Sequence, residues 1–315
     1  MKTRQYIGVD VSKAFLDVSM DGETALRYTY DEAGLTRFLM EITRATAHAC
    51  VVMEATGGLE RALVIALSEA QIAYCVVPPD RVRYLAKALD WAKTDAIDAK
   101  LIARYGQSAM PVPQRMTDKH HRALVDCRAR RKQLVRMMTS EKNRVQRNNA
   151  LEASHQRILN ALTAELKTID IQIAELIDSN ARVKRIHDTL MDVKGVGQVT
   201  ATTLVAELPE LGTLSGKKIT ALVGLAPKNR DSGTLKGKRF IQGGRAAVRE
   251  ALYMATVSAI RHNALIKPVY LRLIDNGKPA KVAIVAAMRK LLIYLNVLIR
   301  DNISWSELKL NNTKA

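Results

Sequence analysis

The stretch HACVVMEATGGLERALVIALSEAQIAYCVV, residues 48–77, decides the fold. His48–Glu54 is an apolar run that ends on a charge, and Thr56-Gly57-Gly58 forms the turn after it. Leu59–Ala70 spaces its apolar residues as an amphipathic helix does, and Ala73–Val77 reads as a buried strand stopped by Pro78-Pro79. Upstream, Gln5–Asp10, Ala14–Met20 and Glu23–Thr29 read as three strands in a meander, followed by a helix over Asp31–Glu41. Downstream, a helix is predicted from Asp80 to about Tyr105, with a break near Trp91. A meander followed by strands alternating with helices predicts an α/β layered sheet.

Past Pro111 and Pro113 the pattern changes. No Gly or Pro occurs from Thr117 to Ile177, and Ile158, Leu162, Leu166, Ile169, Ile173 and Leu176 step at heptad spacing. Two long helices are predicted here, a coiled-coil hairpin reversing near Asn148–Ser154. The apolar stripe serves equally for packing within one chain or for dimerisation. Val193-Lys194-Gly195-Val196-Gly197-Gln198-Val199-Thr200 fails as a dinucleotide fingerprint, because Thr200 stands where a third Gly is required. It reads instead as a helix-hairpin-helix whose turn aims backbone N–H groups at a phosphate. From Ile219 onward the pattern is helical apart from a Gly- and Lys-rich loop over 227–245, and a final helix spans Pro279–Ile299.

The charge is segregated. The 315 residues carry 49 Lys+Arg against 31 Asp+Glu, a net of +18, yet residues 1–105 net −1 and residues 106–315 net +19. This makes the second half the polyanion-facing one. Two runs concentrate the excess: 117–147, with Arg128, Arg130, Arg131, Lys132 and Arg136, and 217–245, with Lys228, Arg230, Lys236, Lys238 and Arg239. With Lys194 of the GVG turn, these are the candidate nucleic-acid contacts. Aromatics make up only 4 %, too few for a stacking platform, so backbone contact with duplex or structured nucleic acid fits better.

Other classes fall away. The longest clean apolar runs, such as Val282–Met288, are far short of the roughly 20 residues that span a bilayer. Asp10 interrupts any signal-peptide core. Cys50, Cys75 and Cys127 show no CxxC spacing, which excludes a disulfide framework or a zinc ribbon and suits the cytoplasm.

Four carboxylates stand where chemistry can use them. Asp10 and Glu54 close two strands, and Asp95 and Asp98 are three apart on a helix and share a face. Carboxylates held together repel unless a cation separates them. Oxygen-only ligands select Mg²⁺ or Mn²⁺, and two such ions activate an attacking oxygen and stabilise a leaving one at a phosphodiester.

Gly8-Val9-Asp10, Met53-Glu54-Ala55-Thr56-Gly57 and Lys93-Thr94-Asp95-Ala96-Ile97-Asp98-Ala99 form one series, and Gly224-Leu225-Ala226-Pro227 with Asp231-Ser232-Gly233 and Arg249–Met254 a second. Over essentially its whole length the chain resembles the DEDD transposases of bacterial insertion sequences, insertion-sequence family one-ten. The resemblance implies a RuvC-like, RNase H-fold catalytic domain over 1–110, basic coiled-coil helices over 117–180 and a mainly helical transposase domain over 183–308. It implies a divalent-metal site of Asp10, Glu54, Asp95 and Asp98, and Ser232 as a nucleophile that forms a covalent protein–DNA intermediate. Donor and target DNA, a structured non-coding guide (bridge) RNA, and a dimer that becomes a tetramer on DNA are the implied partners, at work in the cytoplasm on the nucleoid. Gln242-Gly243-Gly244 departs from the family, whose members often carry a Lys-bearing loop there. Site-specific DNA invertases share the same motifs.

Read without the resemblance, Ser232 is a turn serine among cations that would lower its pKa, with Thr234 as a second hydroxyl. The residues alone also admit a junction-resolving nuclease, a non-catalytic nucleic-acid-binding protein, or a tyrosine recombinase built on Arg245, Arg249 and Tyr253.

Overall fold

A computed structural model describes residues 4–45, 48–89, 95–114, 118–145, 151–227 and 240–313. The chain divides into two compact units, Met1–Lys119 and His120–Ala315.

The first unit is a five-stranded mixed sheet. Its strands are β1 (Gln5–Val11), β2 (Phe15–Ser19), β3 (Leu26–Thr29), β4 (Ala49–Glu54) and β5 (Ala73–Val77), arranged in the order β3-β2-β1-β4-β5. The meander β1-β2-β3 is antiparallel, whereas β4 runs parallel to β1 and β5 parallel to β4. Strand alternation sorts the side chains into two cores. Ile7, Val9, Val51 and Met53 face α1 (Glu32–Ala45) and α2 (Arg61–Glu69), which bury Phe38, Ile42, Leu63 and Leu67 completely. Tyr6, Cys50, Val52 and Val77 face α3 (Pro79–Ala88) and α4 (Asp95–Ala109), which supply Val82, Leu101, Ile102 and Tyr105. The sheet is thus covered on both faces, as parallel strands require.

Some boundaries differ from the sequence reading: the first helix runs on to Ala45, beyond the predicted Glu41. The third strand begins only at Leu26, because the Asp21 carboxylate accepts the N–H groups of Glu23 and Thr24 at 2.8 Å each and holds that segment in a turn. The helical stretch predicted from Asp80 with a break near Trp91 is two helices, α3 and α4, and Trp91 lies outside the described residues between them.

The second unit is helical: α5 (Lys119–Val145), α6 (Glu152–Asp178), α7 (Ala181–Met191), α8 (Gln198–Glu207), α9 (Gly216–Val223), α10 (Ala246–His262), α11 (Lys267–Asp275), α12 (Ala280–Asp301) and α13 (Trp305–Thr313). The long pair α5 and α6 runs antiparallel. His120 Nε2 meets Leu176 O, Arg131 Nε meets Asp170 Oδ1 at 2.6 Å, and His155 Nδ1 meets Glu141 Oε1 at 2.5 Å. Residues 146–150 of the reversal lie outside the described residues. Of the heptad stripe, Ile169 and Ile173 are buried and Leu162, Leu166 and Leu176 pack against the same core, while Ile158 stays exposed.

α12 is the hub of this unit, with α7, α9, α10, α11 and α13 all against it. By length and composition α12 is apolar enough to cross a bilayer, which the sequence reading excluded; half of its apolar window is buried among its neighbours. Leu291, Leu292, Leu295 and Leu298 are fully covered, each gaining about 1.5–3 kcal/mol from burial.

α4 packs backbone to backbone on β1. A Cβ built on Gly8 would lie 2.2 Å from Ala99 O and 2.3 Å from Ala103 N, backbone atoms that cannot step aside. Gly8→Ala should therefore lift α4 and lower stability by about 1–3 kcal/mol, the usual cost of overpacking. Urea unfolding checks this, and an unchanged midpoint would contradict the close approach.

Candidate active site

The register of the sheet decides where the acids stand. In the parallel pair Val9 lies opposite Met53, so Asp10 and Glu54 are the next residues on neighbouring strands and share a face. That face is the one carrying Gly8, Tyr6 and Val52, on which α4 packs. The direction of α4 follows from two contacts. Gly106 sits over Tyr6, with a built Cβ 2.7 Å from Tyr6 Cβ, and Ala99 and Ala103 sit over Gly8. Helix numbers therefore fall as strand numbers rise. The first turn of α4, with Asp95 and Asp98, lies toward the sheet end where β1 and β4 finish on Asp10 and Glu54.

Asp10, Glu54 and Asp98 are each half-buried; the Asp95 side chain lies outside the described residues. Among the described residues no three His, Cys, Asp or Glu side chains are close enough to form a ready-made metal cage. The strand ends at Asp10 and Glu54 and the first turn of α4 lie toward one end of the sheet.

Sequence reasoning passed over two acids nearby. Asp17 lies directly opposite Asp10 in the β1–β2 ladder. It is buried and gripped by Arg27, with Nε at 2.8 Å and Nη2 at 2.9 Å, so its charge is already matched across the strand. The cross-strand Asp/Arg pairing was the signal available for it. Glu60 organises the turn after Glu54, accepting from Thr56 Oγ1 at 2.6 Å, Gly58 N at 2.9 Å and Thr56 N at 3.2 Å. Burial pushes its carboxyl upward, but these hydrogen bonds outweigh it and hold the group below the usual carboxylate range. The Thr-x-x-x-Glu spacing was its signal.

In the second unit the cations divide into two sets. Arg128 Nε lies 3.0 Å from Glu207, Arg131 pairs with Asp170, and Lys132 pairs with Glu250. Those three hold α5 to α8, α6 and α10. Arg130, Arg136 and Lys142 are exposed on α5, and Lys194 is exposed in the GVG turn. That turn joins α7 to α8. Its Gly195 lies against Ala259 of α10, with a built Cβ 2.7 Å from Ala259 Cβ, while Gly197 at the start of α8 has open space around it. Ser232 and Lys228, Arg230, Lys236, Lys238 and Arg239, as well as Thr234, lie outside the described residues.

An α/β unit with carboxylates toward one sheet end, joined to a basic helical unit, suits an enzyme that acts on nucleic acid. Comparison with known proteins gives the particular family. The family model DEDD_Tnp_IS110, described as "Transposase", matches residues 7–154, and that of the "Transposase IS116/IS110/IS902 family" matches residues 187–271. The chain belongs to this transposase family and is a DNA recombinase or transposase. It is similar to the pilin gene-inverting protein of Moraxella bovis, 26 % identical over an alignment of 313 residues that covers 95 % of this chain and 97 % of that protein. The pilin gene-inverting protein of Moraxella lacunata matches with the same identity and coverage.

The division of cations yields a measurable expectation. Changing Arg130, Arg136 and Lys142 together to Gln should flatten the dependence of log affinity on log salt by about 2–3 units on duplex DNA, at about 0.9 per released phosphate contact. Changing Arg131 and Lys132 instead should alter that slope by less than about one unit, because their charges already face Asp170 and Glu250. Equal slopes for both variants would erase the distinction.

Proposed function

We propose that the chain cuts and rejoins DNA strands through a divalent-metal site formed by Asp10, Glu54, Asp95 and Asp98, acting with Ser232 as nucleophile. The observation that carries the first part is the opposed running of β1 and α4, which directs all four acids toward one sheet end. The order β3-β2-β1-β4-β5, with one antiparallel meander and two parallel additions, supports an RNase H-like, RuvC-like reading of the catalytic domain over 1–110. Residues 117–180 are then the basic coiled-coil element and 183–308 the transposase domain.

The donor set fits a hard cation, since every candidate ligand is a carboxylate and none is His or Cys. A bound Mg²⁺ or Mn²⁺ would supply charge neutralisation at the phosphodiester oxygens. The chain's own carboxylates orient that charge, and the α4–β1 contact keeps them from moving apart.

Ser232 keeps the energy of the broken bond. Its Oγ attacks phosphorus, the hydroxyl proton passes to the departing deoxyribose oxygen, and a phosphoserine ester remains for rejoining. Lys228, Arg230, Lys236, Lys238 and Arg239, close to Ser232 in sequence, would steady the phosphate. The surplus of +19 over residues 106–315 supports a partner larger than one duplex: donor and target DNA together with a structured bridge RNA, on a homodimer or tetramer. Inversion of a DNA segment is a second reading, favoured by the full-length similarity to two pilin gene-inverting proteins.

The test is recombination of a donor–target pair by purified protein, with RNA transcribed from the flank of its gene. Asp10→Asn, Glu54→Gln and Asp98→Asn should each abolish strand cleavage and leave nucleic-acid affinity within about twofold, because affinity resides in backbone charge contacts. Ser232→Ala should abolish a covalent adduct trapped on a nicked substrate and identified by mass spectrometry. Recombination that survives RNase treatment would exclude the guide RNA, and full activity in Asp10→Asn would exclude the metal site.

A further inference from the structure

The charged residues at the end of the first sheet stand in a row that crosses it. Asp10 of β1 lies opposite Asp17 of β2, and Asp17 lies opposite Arg27 of β3. Glu54 follows Met53, the β4 partner of Val9, and so continues the row on the other side of Asp10. Directly opposed residues of an antiparallel pair project from the same face, with Cβ atoms about 4.5–5.5 Å apart. Asp10 and Asp17 are therefore like charges on facing positions, an arrangement that by itself destabilises a ladder.

Arg27 resolves the conflict. Its Nε meets Asp17 Oδ1 at 2.8 Å and its Nη2 meets Oδ2 at 2.9 Å, a two-pronged grip on both carboxylate oxygens. The guanidinium also lies over the Phe15 ring, 5.1 Å from its centroid, and Phe15 is two residues before Asp17 on the same face of β2. α4 packs on β2 as well as on β1, and the Asp17 side chain is left only 9 % exposed. Asp17 is thus a buried acid beside the proposed metal site, with both oxygens committed to a cation of the protein's own. Without that grip it would offer the sheet end the same hard oxygen donors as Asp10.

We propose that Arg27 is a positioning residue for strand cleavage: by holding Asp17 in a neutral pair it withholds a competing carboxylate and leaves the divalent cation to Asp10, Glu54 and the first turn of α4. The inference rests on the metal-site reading of those acids. Charge gives the two partners opposite effects. Removing Arg27 bares Asp17 and makes the sheet end more negative, whereas neutralising Asp17 leaves Arg27 uncompensated and makes it more positive. A pair that merely ties β2 to β3 would instead harm the site in both cases. One charge a few ångströms from a divalent ion in a wet site changes its affinity by about tenfold.

The experiment titrates Mn²⁺ alone into the full-length chain by calorimetry. It compares the wild type with Asp10→Asn, Arg27→Gln, Arg27→Lys, Asp17→Asn and the double variant Asp17→Asn/Arg27→Gln. Arg27→Gln should bind Mn²⁺ about tenfold more tightly, and Asp17→Asn about tenfold more weakly. The double variant, again neutral, should return to within about threefold of the wild type. Arg27→Lys keeps the charge without the fork and should also stay within about threefold. Single-turnover cleavage at saturating Mg²⁺ should be slower in Arg27→Gln despite its tighter binding, because Asp17 then shares the ion. Single variants that shift affinity in the same direction, or not at all, overturn the proposal, and so does wild-type cleavage by Arg27→Gln. Should Arg27→Gln fail to fold with its buried acid unpaired, Asp17→Asn and the double variant decide: the first must weaken Mn²⁺ binding and the second must restore it. Asp10→Asn that binds Mn²⁺ as the wild type does would remove the metal-site reading itself, and the role of Arg27 with it.

Discussion

Everything in the first unit depends on a missing side chain. At Gly8 the backbone of α4 comes within a distance that no Cβ tolerates, and Ala99 and Ala103 are small for the same reason. This contact sets the height of α4 above the sheet, and the second glycine contact, Gly106 over Tyr6, sets its direction. Height and direction together bring Asp98, immediately before Ala99, toward the strand ends carrying Asp10 and Glu54. The acids are distant in sequence, yet steric fit in the apolar layer determines their grouping.

In the second unit electrostatics does part of what packing does in the first. A count of basic residues treats every cation as available to a polyanion. Arg128, Arg131 and Lys132 instead meet Glu207, Asp170 and Glu250, and Arg245 meets Glu210. Glu141, buried on α5, is matched by His155 and Arg144, and hydrogen bonding from His155 holds its carboxyl below the ordinary value. Pairs such as Lys132–Glu250 and Arg131–Asp170 contribute little each, but they join different helices and so fix their relative angles.

Much of this architecture was legible in the residues. The strand signal of Gln5–Asp10 and the apolar run His48–Glu54 located β1 and β4, and heptad spacing together with the absence of Gly and Pro located α5 and α6. The candidate acids were legible because each ends a strand or begins a helix. What the chain did not disclose were features that require partners distant in sequence. Asp17 looks like any strand acid until Arg27 is placed opposite it. Arg249 looks like a helix-surface cation until Val223 and Gly243 are brought beside it. Turn boundaries failed where side chains captured backbone donors, as Asp21 does.

The central place of α12 has a consequence for how the protein is made. The first unit is complete by Lys119, whereas α12, on which five helices of the second unit converge, starts about 160 residues later. At ribosomal speeds of about 5–20 residues per second, that interval is roughly 8–30 s. Within it, Ile219, Val248, Leu252 and the rest of the second core emerge before the hub that covers them. The nascent chain therefore carries a finished α/β unit tethered to a sticky, highly cationic precursor, which makes the second half a natural client of holding chaperones.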